Sequence, residues 1–460
     1  MEFPKTRAEK MIRGLNLFPE LDVNIAEEDP TFTAPKIVEK SLLFPCVGDP
    51  NCVQYLGHTA GYYRLPHAKS ARMFYYFFQS RNKPSTDPVV VYLTGGPGCS
   101  TSQALFYVNG PFHITNNLSL VWNDFGWDKV SNIIYVDQPI GTGFSYTSDK
   151  ADIRTDSQEA AVDFYDFLQA FFEAHPQYAR NDFYITGESY AGHYIPAFAD
   201  RVQKGNNNKE GIHINMKGLA IGNGLTDPLI QYKAYTDFAL SMKLITQSDF
   251  DSLNQLVPQC MQGIELCGNS SGPSSACSKA FDDCTDIFNR IVKINGQINY
   301  FDIRQQCPAG PPCYNFSNVP NFLNQESVRQ ALGVGDIKFV TCNLSVYDSL
   351  KTDWMKNYEV VIPALLENGV KLPVYAGEYD LICNWLGNSR WVDAMVWSGQ
   401  KNFVSAPSIP FKVDEVEAGL QKSSGLLTFL KVHNAGHWVP LDQPKASLEM
   451  IKRWLQGIPL

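Results

Sequence analysis

Short β-rich runs recur along this chain with helical stretches between them, and that alternation constrains the fold more than any other feature. The runs cover residues 88–93, 132–136, 182–186, 217–221, 372–375 and 427–432. Residues 157–174, between the second and third runs, and 190–202, between the third and fourth, read as helices. Strand, helix, strand in that order specifies a mostly parallel sheet with helices on both faces, an α/β architecture. From 227 to 369 the pattern gives way to irregular helical segments and loops, read as an inserted cap. Residues 444–455 have near-helical apolar spacing and open on Pro444 at a first-turn position, so a closing helix is expected.

The third run leads directly into Gly187-Glu188-Ser189-Tyr190-Ala191-Gly192 and then a helix. Small residues two before and two after a serine permit a turn sharp enough to expose its hydroxyl, the context of a nucleophile elbow. Ala191 stands where glycine is usual. A serine hydroxyl is a poor nucleophile at its free pKa and needs a base, and in this architecture an acid and then a histidine follow at later strand ends. Asp380, just past the run 372–375, is the candidate acid, with Glu378 as its rival. Only His433 and His437 follow that run, and His437 lies in the loop before the closing helix. Stabilising the oxyanion requires backbone donors with little side-chain bulk, which Thr94-Gly95-Gly96-Pro97-Gly98 supplies at the end of the first run.

Bulk properties exclude other classes. The net charge of −9 is dispersed and not run in blocks, so there is no nucleic-acid footprint and no polybasic membrane patch. No stretch approaches the roughly 20 apolar residues that cross a bilayer. Eleven cysteines and four glycosylation sequons, at Asn117, Asn269, Asn315 and Asn343, point to an oxidising, glycosylating compartment. Residues 1–13 have no apolar core, so the leader that such a compartment requires is expected to have been trimmed. Six cysteines crowd between 260 and 313 with no CxxC pair and no histidine among them, which favours disulfides over zinc. Neither a metal nor an organic cofactor is expected.

The segments 93–100, Val136-Asp137-Gln138-Pro139, 187–194, Gly222-Asn223-Gly224, 375–388 and 435–444 together resemble the serine carboxypeptidase family, its plant branch in particular, over nearly the whole chain. The resemblance implies an α/β-hydrolase core from 46–226 and 370–460, an inserted disulfide-stapled cap at 227–369, and a propeptide within 1–45. It implies a triad of Ser189, Asp380 and His437, an oxyanion hole from the amides of Gly96 and Tyr190, and recognition of a substrate carboxylate by Thr94, Gly95 and Glu188. It also implies disulfides Cys99–Cys342, Cys260–Cys284, Cys267–Cys277 and Cys307–Cys313, with Cys383 a buried free thiol near Asp380; Cys46 and Cys52 are candidates to pair with each other.

The activity so implied is serine-type carboxypeptidase action on peptides with a free C-terminus, in the vacuole or outside the cell. Acyl transfer through the same acyl-enzyme is the alternative, and loss of catalysis a further one. Two departures from the family pattern bear on that choice. Val108 stands where a second glutamate is expected to share a proton with Glu188, and Trp438 replaces a smaller or more flexible residue beside His437, where it is expected to crowd the leaving-group side.

Overall fold

A computed structural model describes residues 37–41, 58–268, 275–296, 298–307 and 314–460. Its strands are β1 (Ile37–Ser41), β2 (His58–Arg64), β3 (Arg72–Phe78), β4 (Val89–Leu93), β5 (Phe112–Ile114), β6 (Leu120–Trp122), β7 (Asn132–Asp137), β8 (Phe183–Ser189), β9 (Met216–Gly224), β10 (Leu372–Gly377), β11 (Ile409–Val413), β12 (Val416–Ser424) and β13 (Leu427–Val432). β5 and β6 form a separate hairpin. The other strands build one sheet in the order β1-β2-β3-β7-β4-β8-β9-β10-β13-β12-β11.

The six predicted runs are its parallel centre, β7-β4-β8-β9-β10-β13. Antiparallel strands β1 to β3 extend one edge, and β12 and β11 the other. Sequence reading missed these flanks. Arg72–Phe78 is buried at every position and so lacks an alternating pattern, while β11 and β12 are largely exposed. β1 falls within the stretch expected to be a propeptide.

The central strands read as unbroken apolar runs because both faces are covered. In β4, Val89, Val91 and Leu93 enter one core with Phe164, Phe171, Ile195 and Phe198. Val90 and Tyr92 enter a second core with Leu105, Trp127, Phe322, Met450 and Trp454. Each fully buried aliphatic side chain there contributes about 1.5–3 kcal/mol.

Helix Ser157–Ala174 has its predicted bounds and is capped by Asp156, whose side chain accepts from Glu159 N at 2.8 Å. Pro444–Leu455 also forms as predicted. The helix after Ser189 runs Ala191–Asn208, past the predicted end at 202. Its extra turns are polar and show no apolar stripe, but Asn206 holds them by exchanging two hydrogen bonds with the backbone of Ile214.

Between β9 and β10 the described residues form helices joined by loops and turns, with isolated bridges and no strand. Helices Val257–Gly268 and Ser275–Ile294 are stapled by Cys260–Cys284 and Cys267–Cys277. Cys99–Cys342 ties the glycine-rich turn after β4 to this insertion. The predicted Cys307–Cys313 and Cys46–Cys52 pairs lie outside the described residues, since 313, 46 and 52 do. Cys383 is free and buried. Among the described residues no helix is long and apolar enough to cross a membrane.

One predicted glycosylation site is overturned. Asn343 is fully buried, its Nδ2 donating to Gly141 O at 2.9 Å and its Oδ1 accepting from Ser345 N at the start of a helix. The folded protein has no space for a glycan there. Asn117 and Asn315 are exposed, and Asn269 lies outside the described residues.

Candidate active site

β8 ends on Ser189, whose φ of 65° lies in the left-handed region. That strained turn before a helix is what an elbow serine requires. Two glycines make it possible. A Cβ on Gly187 would sit 2.2 Å from Leu93 O, and one on Gly95 would sit 2.3 Å from Tyr190 N. Only side chains of zero bulk let the turn after β4 press against the elbow, and Gly96 and Tyr190 line the same cavity. Ser189 itself is half-buried and faces a cavity that His437 also lines.

Asp380, three residues past β10, is fully buried and accepts from Ile382 N at 3.0 Å, Cys383 N at 3.2 Å and Asn223 Nδ2 at 2.8 Å. It also pairs with His437 Nδ1 at 2.8 Å. A carboxylate only accepts, so Nδ1 carries the proton and Nε2 is left as the acceptor. His437 is held by its own backbone N–H, which donates to Phe301 O at 2.8 Å. The rivals pair with each other: His433 lies 3.3 Å from Glu378, with Glu417 at 3.1 Å on its other nitrogen.

Asn223 and Tyr92 were quoted in the sequence only as parts of a motif and a strand. Asn223 sits between two glycines at the end of β9, donates to Asp380, and accepts from Gly377 N at 3.0 Å. A polar side chain at a buried strand end beside glycines was the available signal. Asp353, in the insertion, gave no sequence signal. It is fully buried and accepts from Tyr190 Oη at 2.9 Å, Ser157 Oγ at 2.6 Å and Tyr358 Oη at 2.6 Å, fixing the residue after Ser189 to the insertion.

Glu188 precedes the serine and is 2% exposed. Burial pushes its carboxyl up to about 8, while hydrogen bonding from the Trp438 side chain pulls the other way. Tyr92 Oη donates to Glu188 Oε2. A lone buried carboxyl therefore keeps its proton at neutral pH without a second acid. Thr94 and Gly95 line the same cavity. Val108 does not: it is buried at the end of a single π-turn, Ala104–Val108, among the second core's apolar residues.

Trp438 walls the cavity and packs on Phe301 at 4.8 Å, Tyr314 at 4.8 Å and Phe316 at 5.2 Å between ring centres. Much of the remaining lining is aromatic, including Tyr232, Tyr235, Phe281, Phe288 and Trp354. Cys383 is also there, its sulfur, an Asp380 carboxylate oxygen and a His437 ring nitrogen all lying within 4.8 Å of one another. Burial and the Asp380 charge raise that thiol's pKa, keeping it protonated and unreactive.

Parallel strands that deliver a serine, then an acid, then a histidine to one end of a sheet define the α/β hydrolases, and the fold and site place this protein in that class. The chain belongs to the serine carboxypeptidase family, whose model matches residues 50–457. It is 60% identical to serine carboxypeptidase-like 48 of Arabidopsis thaliana over 99% of this chain and 90% of that one. It is 57% identical to serine carboxypeptidase 3 of Hordeum vulgare, covering 99% and 90%. A prohormone-processing carboxypeptidase from Saccharomyces cerevisiae, Kex1, has a similar structure, with a TM-score of 0.79 at 28% identity over 89% of this chain and 93% of that one.

Proposed function

We propose that this enzyme is a serine-type carboxypeptidase in which Ser189, His437 and Asp380 form the triad. The observation that carries the reading is the buried Glu188 beside Ser189, its pKa raised by that burial, with Thr94 and Gly95 lining the same cavity. A protonated carboxyl, a hydroxyl and a backbone N–H are donors suited to a terminal carboxylate, and charge-assisted bonds of this kind contribute about 1.5–3 kcal/mol each.

In this reaction Ser189 Oγ attacks the carbonyl carbon of the last peptide bond while His437 Nε2 takes the hydroxyl proton. The N–H groups of Gly96 and Tyr190 donate to the oxyanion. His437 returns the proton to the departing nitrogen, the C–N bond breaks, and the C-terminal amino acid leaves. Water then attacks the acyl-serine, giving one proton to His437, which passes it to Ser189 Oγ as the ester bond breaks. Asp380 accepts from Nδ1–H throughout and stabilises the imidazolium.

Release of free amino acids from a panel of N-blocked dipeptides, compared with Ser189→Ala, tests the reading. Activity is expected in the parent and loss by several orders of magnitude in the variant; two equally silent proteins would reject it. Acyl transfer is the second reading, favoured by the lack of a second acid: among the described residues that line the cavity, Glu188 is the one with a carboxyl. Retention of Glu188 ranks it below hydrolysis. Mass spectrometry of products from an acyl-glucose donor with a mixed acceptor pool separates the two. The three described disulfides and the exposed sequons Asn117 and Asn315 support residence in the secretory pathway, ending in the vacuole or outside the cell.

A further inference from the structure

Three buried polar atoms on residues lining the catalytic cavity have no hydrogen-bond partner: Thr94 Oγ1, Glu188 Oε1 and Gln103 Nε2. Their residues are 6%, 2% and 4% exposed. Leaving a buried donor unpaired costs about 1–3 kcal/mol, and folded proteins keep such groups where a ligand completes them. Thr94 and Glu188 already have a task in the proposed reaction. Gln103 has none.

Gln103 belongs to the rigid segment that begins at the glycine-rich turn. Its backbone N–H donates to Ser100 O at 3.4 Å, and the π-turn Ala104–Val108 begins at the next residue. That turn directs Val108 into the apolar core and leaves Gln103 on the cavity wall. The segment therefore sets on the cavity wall a residue whose amide nitrogen is unpartnered, and no acid.

We propose that Gln103 determines specificity by donating from its side-chain amide to the terminal carboxylate of the substrate, as a further side-chain donor beside Glu188 and Thr94. The proposal rests on the carboxypeptidase reading above. An amide does not titrate, so this donor persists at any pH at which the protein is folded. A carboxyl in the same role would donate only while protonated. Recognition of a free C-terminus through Gln103 consequently extends into the neutral range, limited by Glu188 and not by a pair of acids sharing a proton.

The test compares the parent, Gln103→Leu and Gln103→Glu on an N-blocked dipeptide with a free carboxylate and on the same dipeptide as its C-terminal amide. Gln103→Leu is expected to raise KM for the free acid about tenfold, the equivalent of one charge-assisted bond. KM for the amide and kcat for both substrates should stay within about twofold. Gln103→Glu should match the parent on the free acid at pH 4.5 and lose affinity by pH 7. A Gln103→Leu variant with unchanged free-acid KM, or with both substrates weakened equally, overturns the assignment while leaving the peptidase reading intact. A parent that cleaves neither substrate overturns both. Thermal melts of the two variants, expected to match the parent, separate a recognition defect from misfolding.

Discussion

Replacing Glu188 by glutamine should make the protein's stability less dependent on pH. Glu188 is 2% exposed, and burial raises its carboxyl from the ordinary 4.5 to about 8. An acid with a raised folded-state pKa binds its proton more tightly when folded, so the unfolded chain ionises first. Between pH 4.5 and 8 the unfolded state gains charge that the folded state cannot accept, and stability falls as pH rises. From pH 4.5 to 7, roughly 2.5 units at about 1.4 kcal/mol each, this amounts to about 3 kcal/mol.

Glutamine has nearly the same shape, its carbonyl can accept from Tyr92 Oη, and it never ionises. Urea unfolding followed by tryptophan fluorescence at several pH values between 4.5 and 7.5 measures the effect. The variant should gain about 3 kcal/mol relative to the parent by pH 7 and almost nothing at pH 4.5. Stability curves that run parallel across that range would refute the claim that Glu188 is held neutral by burial. The same ionisation should raise KM for free-acid substrates above pH 8 in the parent alone.

Asp380→Asn keeps the shape of the acid but removes the acceptor that fixes the His437 tautomer, and kcat should fall by about 10⁴ while the fold persists; circular dichroism alongside kinetics checks both halves. Replacing Cys99 and Cys342 by serine reopens a loop with a sequence separation of 243. The chain-entropy model puts the loss at about 5 kcal/mol, read from urea midpoints, and a change below about 1 kcal/mol would contradict it.

Much of the fold was legible because its signals are local. A central strand such as 88–93 is short, apolar and ends in a glycine turn, and helices 157–174 and 444–455 carry their periodicity within their own bounds. The flanking strands were not legible. Arg72–Phe78 becomes a strand by pairing with its sequence neighbour β2 on one side and with the distant β7 of the parallel centre on the other, and burial of both faces leaves it no alternating pattern. Likewise, exposure of a sequon cannot be read from three residues: Asn343 satisfies the motif, yet its amide is consumed in bonding Gly141.

The sequence by itself determined the elbow: Gly187, Ser189 and Ala191 are small or strained where a strand must turn abruptly into a helix, a requirement met within six residues. It also fixed the chain order of nucleophile, acid and base. The sequence preferred Asp380 to Glu378 and His437 to His433; only the tertiary structure shows Asn223, Asp380 and His437 bonded to one another while Glu378 and His433 pair elsewhere, because β10 lies between β9 and β13. Only it revealed that Gln103, and not Val108, is among the residues lining the cavity. The reason is that hydrophobic pattern and turn chemistry act over a few residues, whereas a site is assembled by strand order and register between groups scores of residues apart.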